Sequence, residues 1–151
     1  WAVRDLAAYP EAVPELFQRL QVEKEHVVRE AIFSTLQQVG GQEVVAGLID
    51  LLRSEEASLR NEAIEVLQTM PNEIAPHIEK LLADPDSDVR IFAIDILQQL
   101  AHPNTPQWLA SVLERDPHVN VVAAAVDRLA EVGTPEMIPA LQGVKQRFAQ
   151  E

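Results

Sequence analysis

The chain has 151 residues, with 24 acidic against 12 basic side chains, a formal net charge of −12 and no cysteine. Its length suffices for one domain or one elongated array, and a 47% hydrophobic content excludes a disordered acidic tail. The lack of cysteine excludes disulfide scaffolds, thiolate zinc sites and cysteine nucleophiles, and no apolar run approaches the roughly 18 residues that a membrane helix needs.

Residues 1–22 predict a partial repeat at the start of the chain. Trp1, Val3 and Leu6 have the spacing of the end of a helix, and a second helical stripe follows them. At the other end, Gln142 and Lys145 replace residues that are apolar in the earlier repeats, as a terminal capping repeat requires. We therefore expect the chain to be the C-terminal part of a longer array.

Four full repeats follow, over residues 23–53, 54–83, 84–115 and 116–151. The first helix of each repeat carries apolar residues at relative positions 0, 4, 5 and 8, which lie on one side of a helix with 3.6 residues per turn. In the third repeat these residues are Val89, Ala93, Ile94 and Leu97. A second helical stripe follows in every repeat, and its central residues, with that of the partial repeat, are Leu16, Leu48, Ile78, Leu109 and Leu141.

Turn residues separate these helices. Asp84 and Asp116, each followed by proline, precede a first helix, and we expect their side chains to cap its N-terminus. Gly40 is expected in the turn after a helix end, and residues 134–136 (Thr-Pro-Glu) have the pattern of a helix start. No segment shows the alternation that is typical of a strand.

Two motifs carry a resemblance to a known family. The first is Asp-Pro-x-x-x-Val-Arg-x-x-Ala-x-x-x-Leu over residues 84–97, and the second is Thr-Pro-Glu-x-x-Pro-x-Leu over residues 134–141. They resemble the short HEAT-like repeats of the phycobilisome-lyase type. The resemblance implies an all-α fold, an α-solenoid in which antiparallel helix pairs stack into a right-handed superhelix, with residues 1–151 forming a single repeat domain. It implies protein–protein scaffolding as the main function.

The supply of reactive residues predicts no enzyme, no cofactor and no metal. HEAT-like diiron hydroxylases use repeated His-Glu pairs as ligands, but none of His26, His77, His102 and His118 is followed by glutamate. No two of these histidines lie one helical turn apart. Glycine-rich phosphate loops and a recognisable Ser/His/Asp signature are also missing from the sequence.

The charge distribution bears on the class of partner. The 12 basic residues are spread along the chain, and a charge of −12 would repel nucleic acid or an anionic membrane. The same field favours a basic protein or peptide, through steering more than through affinity. We expect a cytoplasmic protein that binds neither nucleic acid nor membrane, and the sequence leaves its oligomeric state open.

Three arginines recur in register. Arg29, Arg60 and Arg90 stand at the second position of successive first-helix motifs, near the helix end where the macrodipole disfavours a cation. We interpret them as a structural ladder that pairs with aspartates or carbonyl groups of adjacent turns, and a row of partner-binding arginines is the alternative. Val122 takes this position in the last repeat.

The second helices line the concave side in the family that the chain resembles, and we expect this surface to bind a protein or peptide. Trp108 has two interpretations, an exposed interface anchor beside His77 or a ring packed against the core under the turn 101–106. The function could also be that of an accessory subunit of an enzyme such as a bilin lyase, or of a structural spacer. The predicted partner-binding residues are Trp108, His77, Glu15, Asp50, Lys80, Glu43 and Glu73.

Overall fold

The computed structural model describes residues 10–132 and 138–148, and all regular elements in these ranges are helical. The chain divides into two compact units, Trp1–Glu73 and Ile74–Glu151, which we call unit 1 and unit 2. The predicted helix end at Trp1, Val3 and Leu6 and the predicted helix start at residues 134–136 lie outside the described residues.

Unit 1 consists of two helical layers. A short 3-10 turn at Pro10–Ala12 is followed by α1 (Val13–Val22), α2 (His26–Val39), α3 (Gly41–Leu51) and α4 (Ala57–Gln68). Helix α1 packs on α3, and α2 packs on α4. The predicted second helices therefore form one layer of this unit and the predicted first helices form the other.

Unit 2 repeats this arrangement. Helix α5 (Pro71–Leu82) begins in unit 1, and after it come α6 (Ser87–Gln98), α7 (Thr105–Arg115), α8 (Val119–Val132) and α9 (Ile138–Phe148). Helix α6 packs on α8, and α7 packs on α9. First and second helices again lie in separate layers.

The predicted apolar positions form the core between the two layers. In α4 and α6 all four motif positions are buried, from Leu59 to Leu67 and from Val89 to Leu97. Each fully buried leucine or isoleucine of this kind stabilises the fold by about 1.5–3 kcal/mol. Helix α9 differs, because Leu141 is only half-buried and no described side chain of this helix is fully buried.

The turns confirm one expectation and correct another. Gly40, which follows the last residue of α2, has a φ of 65°, a conformation that favours glycine. Helix α6, however, begins at Ser87, and the residue that caps it is Asp86, whose carboxylate accepts the N–H of Asp88 at 2.9 Å. Asp84 accepts the N–H of Asp86 at 2.9 Å and so closes the preceding turn instead of capping the helix. Asp116 likewise accepts the N–H of His118 at 2.9 Å, while α8 begins only at Val119, so the same expectation is wrong there.

Candidate protein-binding site

Each turn that opens a repeat is closed by the side chain of its first residue. Side-chain oxygens of Glu23, Ser54, Asp84 and Asp116 each accept the N–H of the residue two positions later, at 2.9–3.1 Å. Such bonds stabilise a turn because they satisfy a main-chain donor locally. The turns between first and second helices in the described part of the chain are built from other residues.

The recurring arginines bind these same turns. Arg29, Arg60 and Arg90 each donate a hydrogen bond of 2.7 Å to the main-chain carbonyl oxygen six residues earlier, that of the turn-closing residue. The cation near the helix N-terminus is thereby offset by a carbonyl acceptor. This contact explains why arginine recurs at a position where the helix dipole disfavours it.

Arg29 and Arg90 also reach the turn of the following repeat. Nη2 of Arg29 lies 2.8 Å from Oε2 of Glu56, and Nε and Nη2 of Arg90 donate to the two carboxylate oxygens of Asp116 at 2.7 and 3.2 Å. The sequence suggested carbonyl groups and aspartates as partners; Arg90 binds an aspartate, whereas the carboxylate that Arg29 binds belongs to a glutamate. That these contacts fix the stacking of repeats stays a prediction.

The two carboxylates that these arginines bind differ in environment. The Glu56 side chain is 42% exposed, whereas that of Asp116 is 4% exposed. The hydrogen bond from Arg29 lowers the pKa of Glu56. The pKa of Glu23 is lowered by the main-chain N–H of Glu25 and by the side chain of Arg19. Both glutamates are therefore held in the charged form that their donors require.

The last repeat replaces the missing arginine from another helix. Because Val122 occupies the arginine position, the carbonyl oxygen of Asp116 accepts a hydrogen bond of 2.8 Å from Nη2 of Arg147, in α9. Nη1 of Arg147 also donates to the carbonyl oxygen of Glu114 at 2.6 Å. Arg147 thus ties α9 to the C-terminal end of α7, where a cation is favoured by the helix dipole.

The predicted partner-binding residues are distributed over both units. Glu15, Glu43, Asp50 and Glu73 belong to unit 1, and His77, Lys80 and Trp108 belong to unit 2. Glu15, Glu43, Asp50 and Lys80 are exposed, Glu73 and His77 are half-buried, and Trp108 is buried.

The second-helix layer of unit 1 has an acidic face, which we define as the exposed carboxylates of Glu11, Glu15, Glu43 and Asp50. Helices α1 and α3 approach closely here, since a Cβ atom at Gly47 would overlap the ring of Phe17. Glycine at this position therefore allows the two helices to pack closely at Phe17. The sequence register placed these carboxylates on one face together with that of Glu73, which is half-buried in the structure.

Trp108 is packed and not exposed. Its side chain is 8% exposed, and its ring stacks on that of His102 with centroids 4.8 Å apart and planes at 28°. His102 stands in the preceding turn, where its Nδ1 accepts the N–H of Asn104 at 3.0 Å. The interpretation of Trp108 as a ring packed under this turn describes the structure, and the exposed anchor does not. Within the described ranges the indole N–H has no hydrogen-bond partner, yet it is not sealed from solvent.

Trp108 lines a groove of about 590 Å³ in unit 2. Helix α7 also contributes Gln107 and Ser111, and Arg90 and Asp116 line the groove as well. Sequence reasoning missed this groove, because Arg90 and Asp116 are far apart in the chain and only their pairing brings the turns together. The repeated Asp-Pro dipeptides were the signal that could have indicated it. On α5, the groove is lined by Glu79 and Leu82.

A smaller cavity of about 380 Å³ lies over α2 and α4 in unit 1. Nε2 of His26 is 3.0 Å from Oε1 of Glu30, and burial raises the pKa of the nearby Glu62 carboxyl.

No group of three or more side chains suited to hold a metal ion occurs within the described ranges. The same part of the chain contains no helix with the length and apolarity needed to cross a bilayer.

Comparison with known proteins gives two findings. The HEAT-repeat family matches residues 1–68 and 74–146. The bilin biosynthesis protein PecE of Mastigocladus laminosus is 30% identical over 139 residues, which are 90% of this chain and 51% of that protein. The chain therefore spans about half the length of this relative.

Proposed function

Because the chain belongs to the HEAT-repeat family, we propose that it is a non-catalytic scaffold that binds a protein or peptide on its second helices. The partner is basic at the surface it presents to unit 1. The observation that carries this proposal is the acidic face formed by Glu11, Glu15, Glu43 and Asp50.

The acidic face keeps its charge available for a partner. The arginine of α1, Arg19, is already bound, since its Nη2 lies 2.7 Å from Oε2 of Glu23 in the following turn. An exposed ion pair contributes only about 0.2–1 kcal/mol, so several carboxylates are needed to give an appreciable affinity. Their combined field, together with the net charge of −12, acts mainly on the association rate and on the choice of partner.

The test uses a fluorescein-labelled deca-lysine peptide and fluorescence anisotropy. The triple variant Glu15→Gln, Glu43→Gln and Asp50→Asn should bind this peptide about tenfold more weakly at low salt, a loss of ~1.4 kcal/mol spread over three exposed charges. The difference should shrink in 1 M salt, where the Debye length falls to about 3 Å.

A matched control removes the same charge from other surfaces. Glu30→Gln, Glu55→Gln and Glu65→Gln change three exposed side chains that lie outside the second helices, and this variant should bind nearly as the wild type does. If both triple variants lose affinity equally, the attraction comes from the total charge, and the proposed face is wrong.

A second candidate function follows from the relative whose name refers to bilin biosynthesis. In this candidate the chain is an accessory subunit of a bilin-processing enzyme. The purified protein, incubated with a free bilin, would then retain visible absorbance through size-exclusion chromatography. Retained absorbance favours this candidate over the basic-peptide scaffold, and its absence favours the scaffold.

A further inference from the structure

We propose that the groove of unit 2 binds an extended, uncharged segment of a partner polypeptide, about five residues long, through hydrogen bonds to its main chain. This inference rests on the proposed function, that the second helices bind proteins, and it assigns a second docking place with a chemistry unlike that of the acidic face.

The first argument is the state of Trp108. A tryptophan buried to this extent ordinarily pairs its indole N–H with an acceptor. Trp108 is 8% exposed and lines the groove, yet its N–H has no hydrogen-bond partner within the described ranges. The ring is held against His102 by stacking, the residue lines the groove, and its unpaired N–H fits a carbonyl oxygen of a bound chain.

The second argument is the polar stripe that α7 presents to the groove. Asn104, Gln107, Ser111 and Arg115 all line it, and their spacings of three or four residues place them on one face of the helix. At 1.5 Å per residue the eleven-residue interval from Asn104 to Arg115 is about 16 Å long. Five extended residues at about 3.3 Å each have the same length.

The third argument is the charge of the groove. Arg90 and Asp116 neutralise each other through two hydrogen bonds and are almost fully buried. Of the other ionisable groups at the groove, Glu79 and Arg115 are exposed and opposite in sign, and Asp84 is half-buried with its Oδ1 accepting the N–H of Asp86 at 2.9 Å, so three carboxylates face two guanidinium groups. A groove whose charges nearly cancel and whose wall carries amide, hydroxyl and indole groups favours main-chain polarity over a charged side chain.

The experiment selects a phage-displayed library of random heptapeptides on the wild-type protein, with counter-selection on Ser111→Trp, which fills the groove. Enriched sequences are synthesised with acetylated and amidated ends. We expect them to be poor in charged residues and to shift the indole N–H signal of Trp108 in ¹⁵N spectra, assigned with the Trp1→Phe variant. Trp108→Phe keeps an aromatic ring against His102 but lacks the N–H, and it should bind them at least tenfold more weakly with little change in melting temperature.

Gln107→Ala provides a second variant, because this exposed side chain can be shortened without affecting the core, and it should weaken binding several-fold.

The inference is overturned if no sequence enriches, or if enriched peptides bind Trp108→Phe and Gln107→Ala as tightly as wild type. It is also overturned if they are lysine-rich and respond only to the acidic-face variants, in which case the proposed function stands. If the acidic-face triple variant binds deca-lysine as tightly as the wild type does, while Trp108→Phe still weakens binding of the selected peptides, the acidic face alone is wrong.

Discussion

Replacing Arg90 with methionine should destabilise unit 2 strongly. Methionine retains much of the length and apolar bulk of the side chain but removes the guanidinium group. Four hydrogen bonds are lost: those to Oδ2 and Oδ1 of Asp116 at 2.7 and 3.2 Å, and those to the carbonyl oxygens of Asp84 and Pro85 at 2.7 and 3.4 Å. The Asp116 carboxylate then stays buried without its counter-ion.

The expected cost follows from this burial. With side chains only 12% and 4% exposed, Arg90 and Asp116 form a buried pair, and removal of one partner from such a pair costs about 3–5 kcal/mol. This is a large fraction of the roughly 5–15 kcal/mol by which a domain is stable. Adding Asp116→Asn removes the unpaired charge while keeping an acceptor for the N–H of His118. The double variant should therefore recover about 1–3 kcal/mol.

Urea unfolding, followed by far-ultraviolet circular dichroism and by Trp108 fluorescence in a Trp1→Phe background, measures these free energies. The fluorescence reports on unit 2, where Trp108 lies. Arg29→Met is the matched control, because its counter-ion Glu56 is 42% exposed and can be hydrated by water, so we expect a smaller loss. Equal losses for the two methionine variants, or no recovery in the double variant, would refute the argument from burial.

Three further predictions concern other contacts. Gly47→Ala should destabilise unit 1 because its Cβ overlaps the Phe17 ring, although alanine favours a helix over glycine by about 1 kcal/mol. In a Phe17→Ala background the overlap is gone, and urea denaturation should show that Gly47→Ala raises the free energy of unfolding. Arg147→Met should speed hydrogen–deuterium exchange in α9 while leaving α8 unchanged, since the bonds to the end of α7 are lost. Glu23 has a lowered pKa, so its contribution is complete above its ordinary value of 4.5 and is lost as pH falls through the lowered pKa. Glu23→Gln should accordingly destabilise the protein at pH 7 and have no effect in strong acid, as pH-dependent unfolding can show.

The periodicity of apolar residues was sufficient to predict the helices. Buried positions such as Leu59, Ala63 and Leu67 recur at helical spacing, and that spacing depends only on the helix geometry. The same spacing places Glu15, Glu43 and Asp50 away from the core positions of their helices, where they are exposed, but it placed Glu73 there too, and that side chain is half-buried. The start of α6 was predicted two residues too early, since Asp84 and Asp86 offer equivalent carboxylates and only the path of the turn selects between them.

The array of helix pairs could be read from the amino-acid order alone, because repetition and a 3.6-residue period are local properties that need no knowledge of neighbours. The packing of the helices was needed to show that Trp108 is buried, which turns Arg29 and Arg90 bridge, and that Arg147 binds the turn of the last repeat, where Val122 replaces arginine. These outcomes depend on side chains that are 6 to 31 residues apart in the chain or in different helices. Their distances are set by how the helices pack, and the spacing of residues within one helix does not contain that information.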